Sequence, residues 1–182
     1  MEFSGRVYFD FTSRDVWRLY RLLERAAEQG VVLDVDWRGF AVGGVGNRAR
    51  MTSEVRALAC YEAALIEHPD RHRRFLAALL ALVHKEGDDI GDESTLRIAA
   101  TVAGIDPDRL LTAGTGIGFD ALGAETGTAT MRGVRDVPSI VRHGPVLQIR
   151  TTDAVTRGDA RTRLGLLQAV MEDDGIWELK KP

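Results

Sequence analysis

Cysteine is almost absent: Cys60 is the only one in 182 residues. That excludes an internal disulfide, a paired-cysteine redox couple and a cysteine-rich zinc site. Lysine is scarce too, with only Lys85, Lys180 and Lys181, and the formal net charge is −3. Without a basic excess there is no electrostatic ground for expecting nucleic acid as a partner. No apolar run approaches the roughly 18 residues of a membrane helix, so no membrane partner is expected either. The N-terminus reads directly into a strand, without the charged leader and apolar stretch of a secretory signal, which makes the cytoplasm the expected location.

What is present suffices for a globular core, since 45% of the residues are apolar. Val7–Phe11 is a nearly continuous apolar run, as a buried parallel strand requires. Thr12 and Ser13 can cap a helix whose apolar positions Val16, Leu19, Leu22, Leu23 and Ala26 keep helical spacing until Gly30. Val31–Trp37 reads as a second strand, completing a βαβ unit.

After glycine-rich Gly39–Gly46, helical spacing predicts helices over Ser53–Glu67, Asp70–Lys85 and Asp92–Ala103, the last stopped by Gly104. Asp106-Pro107 opens a further helix that Gly114 closes. A helix over residues 115–133 is diluted by glycine. Pro138–Arg142 and Val146–Arg150 read as strands joined at His143-Gly144-Pro145, and Asp159 caps a last helix through Leu164, Leu167, Val170 and Met171. The expected class is α/β, ordered β-α-β, helical insertion, α-β-β-α. Residues 1–44 and 115–182 form the main domain, and residues 45–114 an inserted helical subdomain.

This order, with Val7–Thr12 running into Ser13-Arg14-Asp15-Val16-Trp17, resembles the first strand and active-site loop of DsbA-like thioredoxin-fold proteins. Gly133-Val134-Arg135-Asp136-Val137-Pro138-Ser139 resembles that family's segment with a cis proline facing the loop, with Asp136 where glycine is usual. Thr95–Asp106 is similar to the end of its helical insert. Gly144–Leu147, Gly158–Ala160 and Trp177–Lys180 are similar to the tail of its mycothiol-dependent nitroreductase branch.

The resemblance places Ser13 where dithiol enzymes carry their thiolate, and a hydroxyl cannot relay disulfide exchange. Serine at 13 is either native or an engineered replacement for cysteine. Kappa-class glutathione transferases and 2-hydroxychromene-2-carboxylate isomerases also resemble this chain and carry serine there, donating to the thiolate of a bound cofactor. By that likeness the chain is a transferase, isomerase or reductase acting on a small electrophile. Ser13 orients the thiolate of glutathione or mycothiol, and Asp136, Val137, Pro138 and Ser139 hold the peptide-like part. The alternative is a non-redox relative whose cleft binds a ligand or protein partner without thiol chemistry. A homodimer is a reasonable expectation from related proteins.

Simpler readings stand beside these. Ser13 is equally an ordinary N-cap. Arg14, in place of the family's proline, either binds an anionic substrate or cofactor carboxylate or forms a solvated pair with Asp15. Asp10 reads as a buried acid near the loop or as a structural cap. His68 and His72 have metal-ligand spacing, but Pro69 and three nearby arginines favour a solvated helix start. Cys60, Trp17, Trp37 and Trp177 read as packing, His143 as exposed in its turn. The glycines of Gly39–Gly46 match no phosphate-binding fingerprint.

Overall fold

The computed structural model describes residues 1–142, 146–152 and 158–172. Strand β1 (Glu2–Phe9), helix α1 (Arg14–Glu28) and strand β2 (Val32–Gly39) form the expected unit. The two strands pair in parallel from Glu2 opposite Val32 to Phe9 opposite Gly39. β1 therefore lies nearer the N-terminus than Val7–Phe11. Ser4, Gly5 and Arg6 interrupt the apolar run, but Arg6 is held within the strand by Asp36 at 2.8 Å and Glu125 at 3.3 Å. Phe11 leaves the strand and stays buried, edge-on to Phe9 and Phe75.

Strands β3 (Ser139–Val141) and β4 (Val146–Gln148) form the expected antiparallel hairpin, shorter at both outer ends than read from sequence. Its turn, with His143, lies outside the described residues, as does Trp177. Among the described residues the sheet runs β2-β1-β3-β4, with β3 antiparallel to β1. Arg73 donates to the Val35 carbonyl on the β2 edge at 3.0 Å, which covers part of an otherwise open row of acceptors.

In chain order, α2 (Ser53–Glu67), α3 (His72–Ala81), α4 (Glu93–Ala103), α5 (Pro107–Ala113) and α6 (Phe119–Met131) come between β2 and β3, and α7 (Ala160–Glu172) follows the hairpin. Capping signals explain most starts: the side chains of Thr52, Asp92 and Asp106 accept first-turn N–H groups. Gly104 ends α4 at φ +74°, a left-handed conformation that glycine adopts without steric cost. α3 starts at His72 rather than Asp70, because Asp70 and Arg71 form a turn after Pro69.

Gly114 does not close α5. It keeps right-handed helical angles and opens a wide turn, Gly114–Gly118, that leads into α6. The reason is packing. A β-carbon on Gly114 would lie 2.7 Å from Cys60 Sγ, and one on Gly118 would lie 2.0 Å from the Ala59 carbonyl oxygen. These glycines let the turn lie directly on α2.

The aromatic core joins helices to sheet: Tyr61 packs edge-on to Phe9 and donates to the Trp37 carbonyl at 3.0 Å. Trp37 is buried, and Cys60 beside them is a packed interior thiol, pushed up to about 12 by burial. Glu62 is 2% exposed and accepts the Gly39 N–H at 2.8 Å. Burial raises its carboxyl to about 7, against the lowering effect of that N–H and of Arg38. His72 is occupied locally: Nδ1 lies 2.8 Å from the Pro69 carbonyl oxygen, and the ring meets the edge of Tyr61. Among the described residues no cluster of three metal-type ligands forms, and no helix is long and apolar enough to cross a membrane.

Candidate functional site

The loop Asp10–Ser13 lies where β1 hands over to α1. Ser13 is the N-cap, with extended backbone and Oγ accepting from the Val16 N–H at 3.4 Å. The Ser13 N–H donates to Asp10 Oδ1 at 2.8 Å, so Asp10 is both a half-buried acid and the cap of the loop. Burial pushes the Asp10 carboxyl upward and the charge of Glu54 adds to this, against N–H groups of Ser13 and Thr12. A cavity of about 180 Å³ adjoins it, lined by Asp10, Gly44, Arg50, Thr52, Glu54 and Leu58.

The Val137–Pro138 peptide is cis. Tyr8 pairs with Ser139 across β1 and β3, so continuing this antiparallel register by two residues brings Val137 alongside Asp10. Arg150 reaches both Asp136, before this turn, and Asp15 on the first turn of α1, so the turn lies beside the loop. Val137, Pro138 and Ser139 are all buried, while Asp136 is partly exposed. The Pro138 carbonyl accepts from Ile149 N–H at 2.9 Å, and Ser139 Oγ donates to the Asp136 carbonyl at 2.7 Å.

Asp15 does not form a solvated pair with Arg14. Its carboxylate accepts from the Thr151 N–H at 3.1 Å and hydroxyl at 2.8 Å, and from Arg18 at 3.2 Å. Its side chain is consequently only 15% exposed. Arg14 is exposed and makes no ion pair among the described residues. It shares a face of α1 with Trp17, three residues on. His84 stacks on Trp17 at 5.8 Å, from the wide turn Leu82–Glu86 that ends α3. Burial lowers the His84 pKa, and the Arg14 charge adds to that against a backbone hydrogen bond at Phe11. Its Nε2 is buried without a partner among the described residues.

Sequence reasoning missed Arg150, which links the loop to the proline turn. Its guanidinium lies 2.6 Å from Asp136 Oδ2 and 4.0 Å from Asp15 Oδ2. It also missed His84, because apolar spacing through α3 gives no sign of the wide turn that aims it at α1.

Fitted against a low-molecular-weight thiol, these groups divide. The first N–H groups of a helix lack intrahelical partners and favour an anion. Among the described residues the Ser13 hydroxyl accepts one long bond, from the Val16 N–H, and its proton remains available for a sulfur. Both fit a thiolate. The Val137 N–H is already bonded to the Asp136 carboxylate at 2.8 Å, so the peptide-binding side of the site does not fit until that contact opens.

No protein-family model and no curated protein matches the chain. Solved structures do. The 2-hydroxychromene-2-carboxylate isomerase structure aligns over 94% of this chain and 95% of its own, at 14% identity and TM-score 0.69. Oxidised Mtb DsbA aligns over 95% of this chain and 85% of its own, at 19% identity and TM-score 0.62. A variant of Pseudomonas aeruginosa DsbA covers 94% and 85%, at 15% identity and TM-score 0.61. At these identities the likeness establishes the fold alone. The chain has the DsbA-like thioredoxin fold, with serine at the start of α1 and no cysteine pair.

Proposed function

We propose that this protein is a low-molecular-weight-thiol-dependent transferase, isomerase or reductase acting on a small electrophile. The observation that carries the reading is Ser13: a hydroxyl at the N-cap of α1, beside a cis Val137–Pro138 turn, in a fold shared with an isomerase. A bound glutathione or mycothiol supplies the sulfur nucleophile. Ser13 donates a hydrogen bond to that sulfur, and the first N–H groups of α1 add a favourable field, so the ionised form is stabilised without a protein cysteine. Arg14, exposed beside the loop, attracts an anionic substrate or cofactor carboxylate. The cavity at Asp10 is small, which suits a fragment-sized electrophile rather than a polymer.

Calorimetric titration of glutathione and mycothiol into the protein and into Ser13→Ala tests this. The expected result is saturable binding of one thiol by the wild type. Binding weakens at least about ten-fold in Ser13→Ala, the scale of one hydrogen bond to a charged group. Absence of binding both by the wild type and by Asp136→Gly, in which the Val137 N–H is released, overturns the thiol reading. The second reading, a cleft that binds a ligand or protein without thiol chemistry, then stands; the Asp136 contact on the Val137 N–H favours it.

A further inference from the structure

The Val137 N–H lies two residues before β3, on the near side of a cis proline, where an extended ligand can add main-chain hydrogen bonds. Here it is not available. It donates to Asp136 Oδ1 at 2.8 Å, while Asp136 Oδ2 accepts from Arg150 at 2.6 Å and Gln148 at 3.1 Å. Both carboxylate oxygens are therefore engaged, and the Asp136 carbonyl is fixed by Ser139. The same Arg150 reaches toward Asp15 on the first turn of α1, so the contact spans the mouth between loop and turn.

We propose that Asp136 is an intramolecular stopper: its carboxylate occupies the hydrogen-bond site that the amide backbone of a thiol ligand would use, and Arg150 and Gln148 hold it there. This deepens the thiol-dependent reading and rests on it. The stopper is displaceable because the Arg150 side chain is 70% exposed and that of Asp136 36%; ion pairs this exposed are screened and contribute little.

Asp136→Gly removes the stopper and leaves the Ser139 contact, which uses backbone. Asp136→Ala does the same without added backbone freedom, and Asp136→Asn keeps an acceptor for Val137 while removing the charge. Glutathione titrations should give binding at least about ten-fold tighter than wild type in the glycine and alanine variants, with a smaller gain in the asparagine variant. In the glycine variant, the Val137 amide signal should shift on saturation. Thermal unfolding establishes that each variant is folded. If the wild type binds, Ser13→Ala weakens it, and both stopper-free variants match or fall below wild type, the stopper is overturned and the thiol reading survives. If neither wild type nor the stopper-free variants bind glutathione or mycothiol, both are overturned.

Discussion

Gly118→Ala should remove at least about 3 kcal/mol of folding stability, the upper end of what overpacking costs. The backbone at Gly118 has ordinary right-handed angles (φ −66°, ψ −40°), so alanine meets no conformational strain there. The obstacle is purely steric. The added β-carbon would lie 2.0 Å from the Ala59 carbonyl oxygen and 3.0 Å from the Ala63 β-carbon. A backbone oxygen inside α2 cannot rotate away, so the wide turn and α2 must separate, carrying α5 and α6 with them. Gly127→Ala is the matched control. It is exposed within α6, an added β-carbon there would have nothing within 4 Å, and it should gain roughly 0.5–1 kcal/mol from helix propensity. Chemical denaturation of the two variants measures both. A loss below about 1 kcal/mol in Gly118→Ala would mean that the helices are not in this contact.

Glu62→Gln should change the pH dependence of stability. The Glu62 carboxyl is raised from 4.5 to about 7 in the folded chain, chiefly by burial. Below 4.5 it is neutral in folded and unfolded chains alike, and its stabilising effect is fully present. As pH rises, the unfolded chain ionises first, and the folded state loses stability until about pH 7, where the loss levels off. At roughly 1.4 kcal/mol per pH unit, that interval corresponds to a wild-type loss of about 3 kcal/mol.

Glutamine keeps an oxygen for the Gly39 N–H but exchanges the second carboxyl oxygen for a bulkier N–H₂, at a cost of about 1 kcal/mol. The variant should therefore be slightly less stable than wild type near pH 4 and about 2 kcal/mol more stable near pH 8. Denaturation across this range reads the crossover. Parallel pH curves would show that Glu62 is already ionised near its ordinary range.

The parts of the fold that sequence made legible are those set by neighbours in the chain. The apolar spacing of α1, the Asp106-Pro107 start and the Gly104 stop all depend on a few adjacent residues. Gly114 was misleading because a glycine after a helix commonly marks its end, whereas here it marks a close approach to Cys60, which no local pattern records. β1 extends past its apolar run because Arg6 finds Asp36 and Glu125 on other elements.

The candidate site divides along the same line. Ser13, Asp10 and the cis proline were visible through their short motifs. The contacts that define the mouth were not, since Asp15 meets Thr151 and Asp136 meets Arg150 only after β1, β3 and β4 have assembled. Arg150 read from sequence as one more strand residue. His84 escaped notice because the wide turn Leu82–Glu86 inserts an extra residue per turn into an otherwise regular helix, turning the ring toward Trp17.

If Ser13 stabilises a cofactor thiolate at the start of α1, the ionisation of bound thiol reports it. Ultraviolet absorbance of the thiolate, followed across pH, reports this for glutathione free, bound to wild type and bound to Ser13→Ala. The only protein thiol, Cys60, is buried and pushed up to about 12, so it stays silent through the neutral range. Glutathione bound to wild type should ionise at least about one pH unit lower than free glutathione. Most of that displacement should disappear in Ser13→Ala. Identical ionisation in all three would contradict that role for Ser13.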